Sequence, residues 1–198
     1  MKLYFMPGAC SLSPHICLRE VGADVTLVRV PRDKQLADGT SYLAINPLGY
    51  VPALELPDGS VLTEGPAILQ WIADQHPDAA LAPANGTPAR YRFQSTLNFI
   101  STELHKGFSP LFGKLADDVK ATFRATLTGR IEAFATRLGT DGFAFGDGFT
   151  AADAYLFTVL QWARLTQVVL PDAATAYLTR LAERPSIDAA LRAEGIKK

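Results

Sequence analysis

The chain has 198 residues, of which 48% are apolar and 20% charged, and that balance excludes a disordered, collagen-like or low-complexity protein. Its length admits one large domain or two compact halves. With 19 basic residues against 20 acidic ones the net charge is −1, which leaves no electrostatic footprint for nucleic acid.

The opening residues Met1 to Gly8 hold too short an apolar run for a signal sequence. No run of about 18 apolar residues follows, so a cytoplasmic protein is expected. Lys2–Phe5 reads as a first strand, ended by Pro7-Gly8. Ser13-Pro14 then offers a helix cap and a proline at the first helical position, and Gly22 stops the helix. Val25–Val30 is dense in β-branched residues and reads as a second strand closed by Pro31. Residues 52–56 and 60–62 flank Pro57-Asp58-Gly59 and read as a hairpin. Ile68, Leu69, Trp71 and Ile72 then define an amphipathic helix between Gly65-Pro66 and His76-Pro77.

Residues 81–88 are small residues, Pro and Gly, the composition of a linker, and the boundary is placed there. Beyond it strand signals cease. Leu97, Ile100 and Leu104, then Val119, Phe123, Leu127, Ile131 and Phe134, recur at helical spacing, so a small mixed α/β half is expected over 1–80 and an all-helical half over 88–198. Residues 1–80 carry 5 basic and 9 acidic groups (−4), the remainder 14 and 11 (+3).

Several residues stand where chemistry is possible. Cys10 lies between the first strand and first helix, where a helix N-terminus favours a thiolate, and Cys10-Ser11-Leu12-Ser13 is C-x-x-S where a redox dithiol would carry C-x-x-C. The alternative is a small buried residue. Cys17, beside Ile16 and Leu18, reads as core. A cis Val51-Pro52 would aim the Val51 backbone at an extended peptide; otherwise Pro52 is an ordinary edge-strand proline. Glu64 with the N–H of Gly65 suits the head group of an α-amino acid, or else Glu64 only complements the helix dipole. His105 and Lys106 are a proton-transfer group and a cation near an anion, or solvated-face residues. Thr150-Ala151-Ala152-Asp153 reads as a capping box with Asp in place of Glu or Gln. Three scattered histidines and two cysteines show no metal-ligand spacing, so no metal site is expected.

Taken together, Pro7-Gly8-Ala9-Cys10-Ser11-Leu12-Ser13-Pro14-His15, Ala44-Ile45-Asn46-Pro47, Gly49-Tyr50-Val51-Pro52, Leu62-Thr63-Glu64-Gly65-Pro66 and the run from Asn98 to Lys106 resemble the bacterial beta-class glutathione S-transferases over essentially the whole chain. The resemblance implies a thioredoxin-like N-terminal domain that binds glutathione, an all-α C-terminal domain contributing the electrophile site, and a homodimer in the cytoplasm. It implies no cofactor beyond glutathione as co-substrate. Cys10 would face the glutathione sulfur and form a mixed disulfide with it. Val51, ahead of Pro52, would pair with the cysteinyl backbone, Glu64 and Gly65 would hold the γ-glutamyl end, and Lys34 the glycyl carboxylate. His105 with Lys106 would border the thiol, with His105 catalytic beside Cys10, and Asn98, Thr102 and Glu103 would line the cleft or reach the neighbouring subunit's glutathione. Phe108, Leu111 and Phe112 would shape the electrophile pocket. The implied activity is conjugation of glutathione to hydrophobic electrophiles, a detoxification, together with thiol–disulfide exchange. The alternatives are reductive dehalogenation of chlorinated aromatics and a transferase-like binding protein without turnover.

Overall fold

The computed structural model describes residues 1–138 and 142–197. Contacts divide the chain into two compact units, one of residues 1–82 with the segment from Pro185 onward, the other of residues 83–184.

The first unit is built on a four-stranded sheet: β1 (Lys2–Phe5), β2 (Thr26–Arg29), β3 (Ala53–Glu55) and β4 (Val61–Thr63), in the order β2-β1-β3-β4. β1 pairs parallel with β2 and antiparallel with β3, and β3 pairs antiparallel with β4. The central β1 is buried on both faces at Leu3, Tyr4 and Phe5, as expected for an apolar run with neighbours on either edge. Tyr4 joins Val30, Leu36, Tyr42 and Ala53 in one core cluster.

Helix α1 (Leu12–Glu20) starts ahead of the expected Ser13 cap. The hydroxyls decide this locally. Ser11 Oγ accepts from the Met6 N–H and donates to the Met6 carbonyl, while Ser13 Oγ donates to the Cys10 carbonyl at 2.8 Å, so Ser13 is already inside the first turn. Pro14 sits in that turn, where a missing N–H costs nothing. At the other end Gly22 takes φ +64° and the Ala23 and Gly22 N–H groups bond back to Leu18 and Arg19, a Schellman closure that requires this glycine's left-handed backbone. Helix α2 (Gly65–Gln75) follows β4 directly.

The second unit contains α3 (Pro88–Phe99), a π-helical turn (Ile100–His105), α4 (Lys106–Phe108), α5 (Asp117–Ala135), α6 (Ala151–Leu160), α7 (Ala163–Thr166) and α8 (Asp172–Leu181). Its described residues form no strand. Every residue of α6 is buried, so this helix, apolar on all sides, is the centre of the unit. Thr150 and Asp153 do form the expected capping box at its start.

The last helix, α9 (Pro185–Ala193), was expected within an all-helical half running over 88–198, but it packs on α1 in the first unit. Its buried stripe of Ser186, Ile187, Ala190 and Leu191 needs a partner face, and a composition-based boundary cannot say which half supplies it. Along α5, Leu127, Ile131 and Phe134 are buried, whereas Val119 and Phe123 at its N-terminal end are 41% and 39% exposed. Among the described residues no group of His, Cys, Asp and Glu could hold a metal ion, and no helix is long and apolar enough to cross a membrane.

Candidate functional site

In the first unit the strand register draws three loops to one end of the sheet. Tyr4 pairs with Ala53 and Ala53 with Thr63. Because both pairings are antiparallel, the turn leaving β1, the Val51-Pro52 segment entering β3 and Glu64-Gly65 leaving β4 lie together there, beside the N-termini of α1 and α2.

Cys10 occupies this end, two residues before α1, and is partly exposed. Its Sγ donates to the Val51 carbonyl at 3.1 Å, so two residues proposed from separate motifs, forty-one positions apart, are in direct contact. The Val51-Pro52 peptide is cis. The preceding carbonyl, of Tyr50, accepts from the Tyr42 hydroxyl at 2.6 Å and from Asn46 Nδ2 at 2.8 Å. Tyr42 and Asn46 are both buried, and burial pushes the Tyr42 phenol above its ordinary value, which keeps it a donor. These two positioning residues were missed as functional; the only sequence signal was the turn-forming Asn46-Pro47. Lys34, at φ +64°, accepts from the Tyr42 N–H through its own carbonyl, and its Nζ lies 5.9 Å from the centre of the Tyr42 ring.

Glu64 is exposed and holds φ +67°, a conformation that costs a non-glycine residue about 1–3 kcal/mol and is concentrated at ligand clamps. Its carbonyl accepts from the Ala67 and Ile68 N–H groups, while Gly65 opens α2. An exposed carboxylate beside a helix N-terminus can hold an ammonium and a carboxylate at once.

The turn carrying Cys10 is braced from the end of the chain. Glu194 Oε2 accepts from the Gly8 N–H at 2.9 Å, and Oε1 meets His15 Nδ1 at 2.9 Å, with both side chains fully buried. Arg19 Nε donates to His15 Nε2. With Arg19 donating to Nε2, the ring's contact with Glu194 is made through an Nδ1–H donor. The other hydroxyls near the turn are spent elsewhere: Ser11 and Ser13 are buried on backbone groups, and the Tyr4 hydroxyl donates to Glu55 at 2.7 Å.

In the second unit Thr102, Glu103 and His105 lie within the π-helical turn, flanked by Asn98 on α3 and Lys106 on α4. Such turns insert one residue into a helix, re-aim the side chains after it by about 100°, and recur at functional sites. Apolar spacing did not reveal this one, since Leu97, Ile100 and Leu104 fit an ordinary helix. Thr102 donates to the Asn98 carbonyl at 3.0 Å, and Glu103 pairs with Arg130 at 3.1 Å. Lys106 is exposed. His105 Nδ1 meets the Tyr155 hydroxyl at 2.7 Å, and Trp162 stands edge-on to the imidazole at 4.9 Å. Phe108 and Phe112 meet the same indole edge-on, Phe108 buried and Phe112 54% exposed, while Leu111 is buried.

Burial, and secondarily the neighbouring Lys106 cation, lowers the His105 pKa to about 4. An unfolded His105 takes up its proton near 6.5, the folded one only near 4, so the unfolded state binds more protons across that window. The stability contributed by the neutral ring is complete above the unfolded value and is lost as pH falls through the folded one. Urea denaturation is expected to show a loss of up to about 3 kcal/mol attributable to this ring between neutrality and pH 4, absent in His105→Gln. Equal pH dependence in both proteins would exclude His105 as the source.

A family model described as the glutathione S-transferase N-terminal domain matches residues 8–75, and one described as the C-terminal domain matches residues 117–192. The chain is 48% identical to glutathione S-transferase GstA of Escherichia coli O157:H7, over all of both chains. It is 44% identical to a bacterial beta-class glutathione S-transferase of Sphingomonas chungbukensis, with a TM-score of 0.92 over 99% of this chain and 100% of that one. A sphingomonad glutathione S-transferase complexed with glutathione is also 44% identical, with a TM-score of 0.93 and the same coverage.

Proposed function

Because the chain belongs to the glutathione S-transferase family, and within it to the bacterial beta class, we propose that it joins glutathione to hydrophobic electrophiles and that Cys10 additionally exchanges glutathione between disulfides. In conjugation the glutathione thiolate attacks an electrophilic carbon, a C–S bond forms, and the leaving group departs with its electron pair. In exchange the Cys10 thiolate attacks the glutathionyl sulfur of a mixed disulfide, releasing the other thiolate, and a second glutathione then attacks to give glutathione disulfide and regenerate Cys10.

The observation that carries this reading is the contact of Cys10 Sγ with the Val51 carbonyl at the sheet end shared with Glu64 and Gly65. There the Val51 backbone offers β-type pairing to the cysteinyl residue of the tripeptide. Glu64 takes the γ-glutamyl ammonium, the Gly65 N–H its carboxylate, and Lys34 the glycyl carboxylate. On the strength of the family membership, His105, Lys106, Asn98, Thr102 and Glu103 are assigned to glutathione binding as well, His105 with a catalytic part. Leu43, Leu48 and Tyr50, close in sequence and exposed by 47%, 68% and 70%, are apolar side chains that a second copy would cover, and the working form is a homodimer, detoxifying electrophiles in the cytoplasm where reduced glutathione is abundant.

Calorimetric titration with glutathione, on a preparation sized by light scattering, tests the reading. Saturable binding, conjugation of a chloronitrobenzene and a dimeric mass are expected. Absence of glutathione binding would leave a transferase-like protein without this activity.

A further inference from the structure

Tyr155, on α6, has no place in the reading above, yet it touches His105, the one histidine of residues 83–184. It is 2% exposed, its hydroxyl lies 2.7 Å from His105 Nδ1, and the two rings stand edge-on at 5.9 Å. Trp162 holds the imidazole from another side at 4.9 Å, so the ring has little freedom to turn. His105 is also the last residue of the π-helical turn, whose inserted residue rotates it toward α6.

One proton is shared in the Tyr155–His105 contact, and the chemistry of the two groups decides who gives it. A phenol, ionising near 10, is a far better donor than the N–H of a neutral imidazole, and an imidazole nitrogen lone pair is a far better acceptor than a phenolic oxygen. We infer that Tyr155 is a positioning residue: its hydroxyl donates to Nδ1, holds His105 as the Nε2–H tautomer, and so makes the opposite edge of the ring an N–H donor rather than a base. Burial keeps this ring neutral through the physiological range, so tautomer and not charge is what the contact selects. An N–H donor stabilises a sulfur anion, whereas a bare nitrogen facing it would repel it. The part played in turnover rests on the proposed glutathione chemistry, but the tautomer does not.

The test is nitrogen NMR of ¹⁵N-histidine-labelled protein at neutral pH. For wild type it should report an unprotonated Nδ1 and a protonated Nε2 at His105, and for Tyr155→Phe, which keeps the ring and removes only the hydroxyl, a mixture of tautomers. Tyr155→Phe should lower kcat for conjugation about five- to tenfold with the KM for glutathione unchanged. His105→Gln, whose amide N–H stands near the position of Nε2–H, should retain more activity than His105→Ala. A protonated Nδ1 in the wild type overturns the inference, and so does a Tyr155→Phe protein with wild-type tautomer and kcat. The wild-type spectrum decides the tautomer even if the variant fails to fold. An Nε2–H ring in a protein that does not turn over glutathione would sink the proposed function and leave the positioning role standing.

Discussion

Cys10→Ala is expected to lose reduction of glutathionyl mixed disulfides by about 10³-fold or more while keeping conjugation within about tenfold of wild type. The asymmetry follows from which sulfur attacks. In exchange the protein's own sulfur is the nucleophile and nothing else at the sheet end replaces it: Ser11 and Ser13 are buried on backbone groups, and the Tyr4 hydroxyl is committed to Glu55. In conjugation the nucleophile belongs to glutathione, and Cys10 contributes only contact. Cys17 cannot substitute, since it is fully buried in α1. Mass spectrometry after incubation with glutathione disulfide should therefore find one glutathionyl adduct on the native wild type and none on Cys10→Ala. Undiminished reductase activity in the variant would remove Cys10 from the mechanism.

The second large effect concerns folding. Asp153 is fully buried at the start of α6 and accepts four hydrogen bonds: from the Ala144 N–H at 2.7 Å, the Thr150 N–H at 2.8 Å, Thr150 Oγ1 at 2.8 Å and the Tyr177 hydroxyl at 2.9 Å. Burial pushes its carboxyl upward, and the four donors pull against that. The group ties the segment ahead of α6, the α6 cap and α8 together around the most buried helix of the unit. Asp153→Ala strands all four donors in a dry interior, where each costs about 1–3 kcal/mol if no water reaches it. Allowing for relaxation, a loss of about 3–5 kcal/mol is expected, lowering the melting temperature by roughly 10 °C or more. Tyr177→Phe strands none of the backbone donors and should cost about 1 kcal/mol. Thermal and urea denaturation of both variants check this, and a change below 1 kcal/mol in Asp153→Ala would show that the carboxylate is not the organising group.

What was legible in the chain was local. Pro7-Gly8 and Gly22 bracket α1, with Pro14 in its first turn, the Pro57-Asp58-Gly59 turn marks the β3–β4 hairpin, and Thr150 with Asp153 caps α6, because each signal acts through backbone groups within a few residues of itself. Cys10, Val51 and Glu64 were legible for a related reason: each borders a strand end or helix start, and the ends of such elements are where backbone groups are left for a ligand.

The remaining features depend on partners far along the chain. His15 with Glu194, His105 with Tyr155, Tyr42 with the Tyr50 carbonyl, and α9 on α1 are side-chain or helix pairings that no periodicity encodes. Apolar spacing states that a face will be covered and not by what, so the packing of α9 on α1 is not legible in it. The π-helical turn escaped because one inserted residue leaves the apolar pattern of Leu97, Ile100 and Leu104 intact while turning His105 elsewhere. The amino-acid order thus determined the elements, the linker and which residues have reactive chemistry, since these follow from backbone preferences and local hydrogen bonds. Tertiary structure decided which of those residues meet, which carbonyl the Cys10 thiol faces and which hydroxyl meets His105 Nδ1, because hydrogen-bond geometry and burial exist only once distant segments have packed.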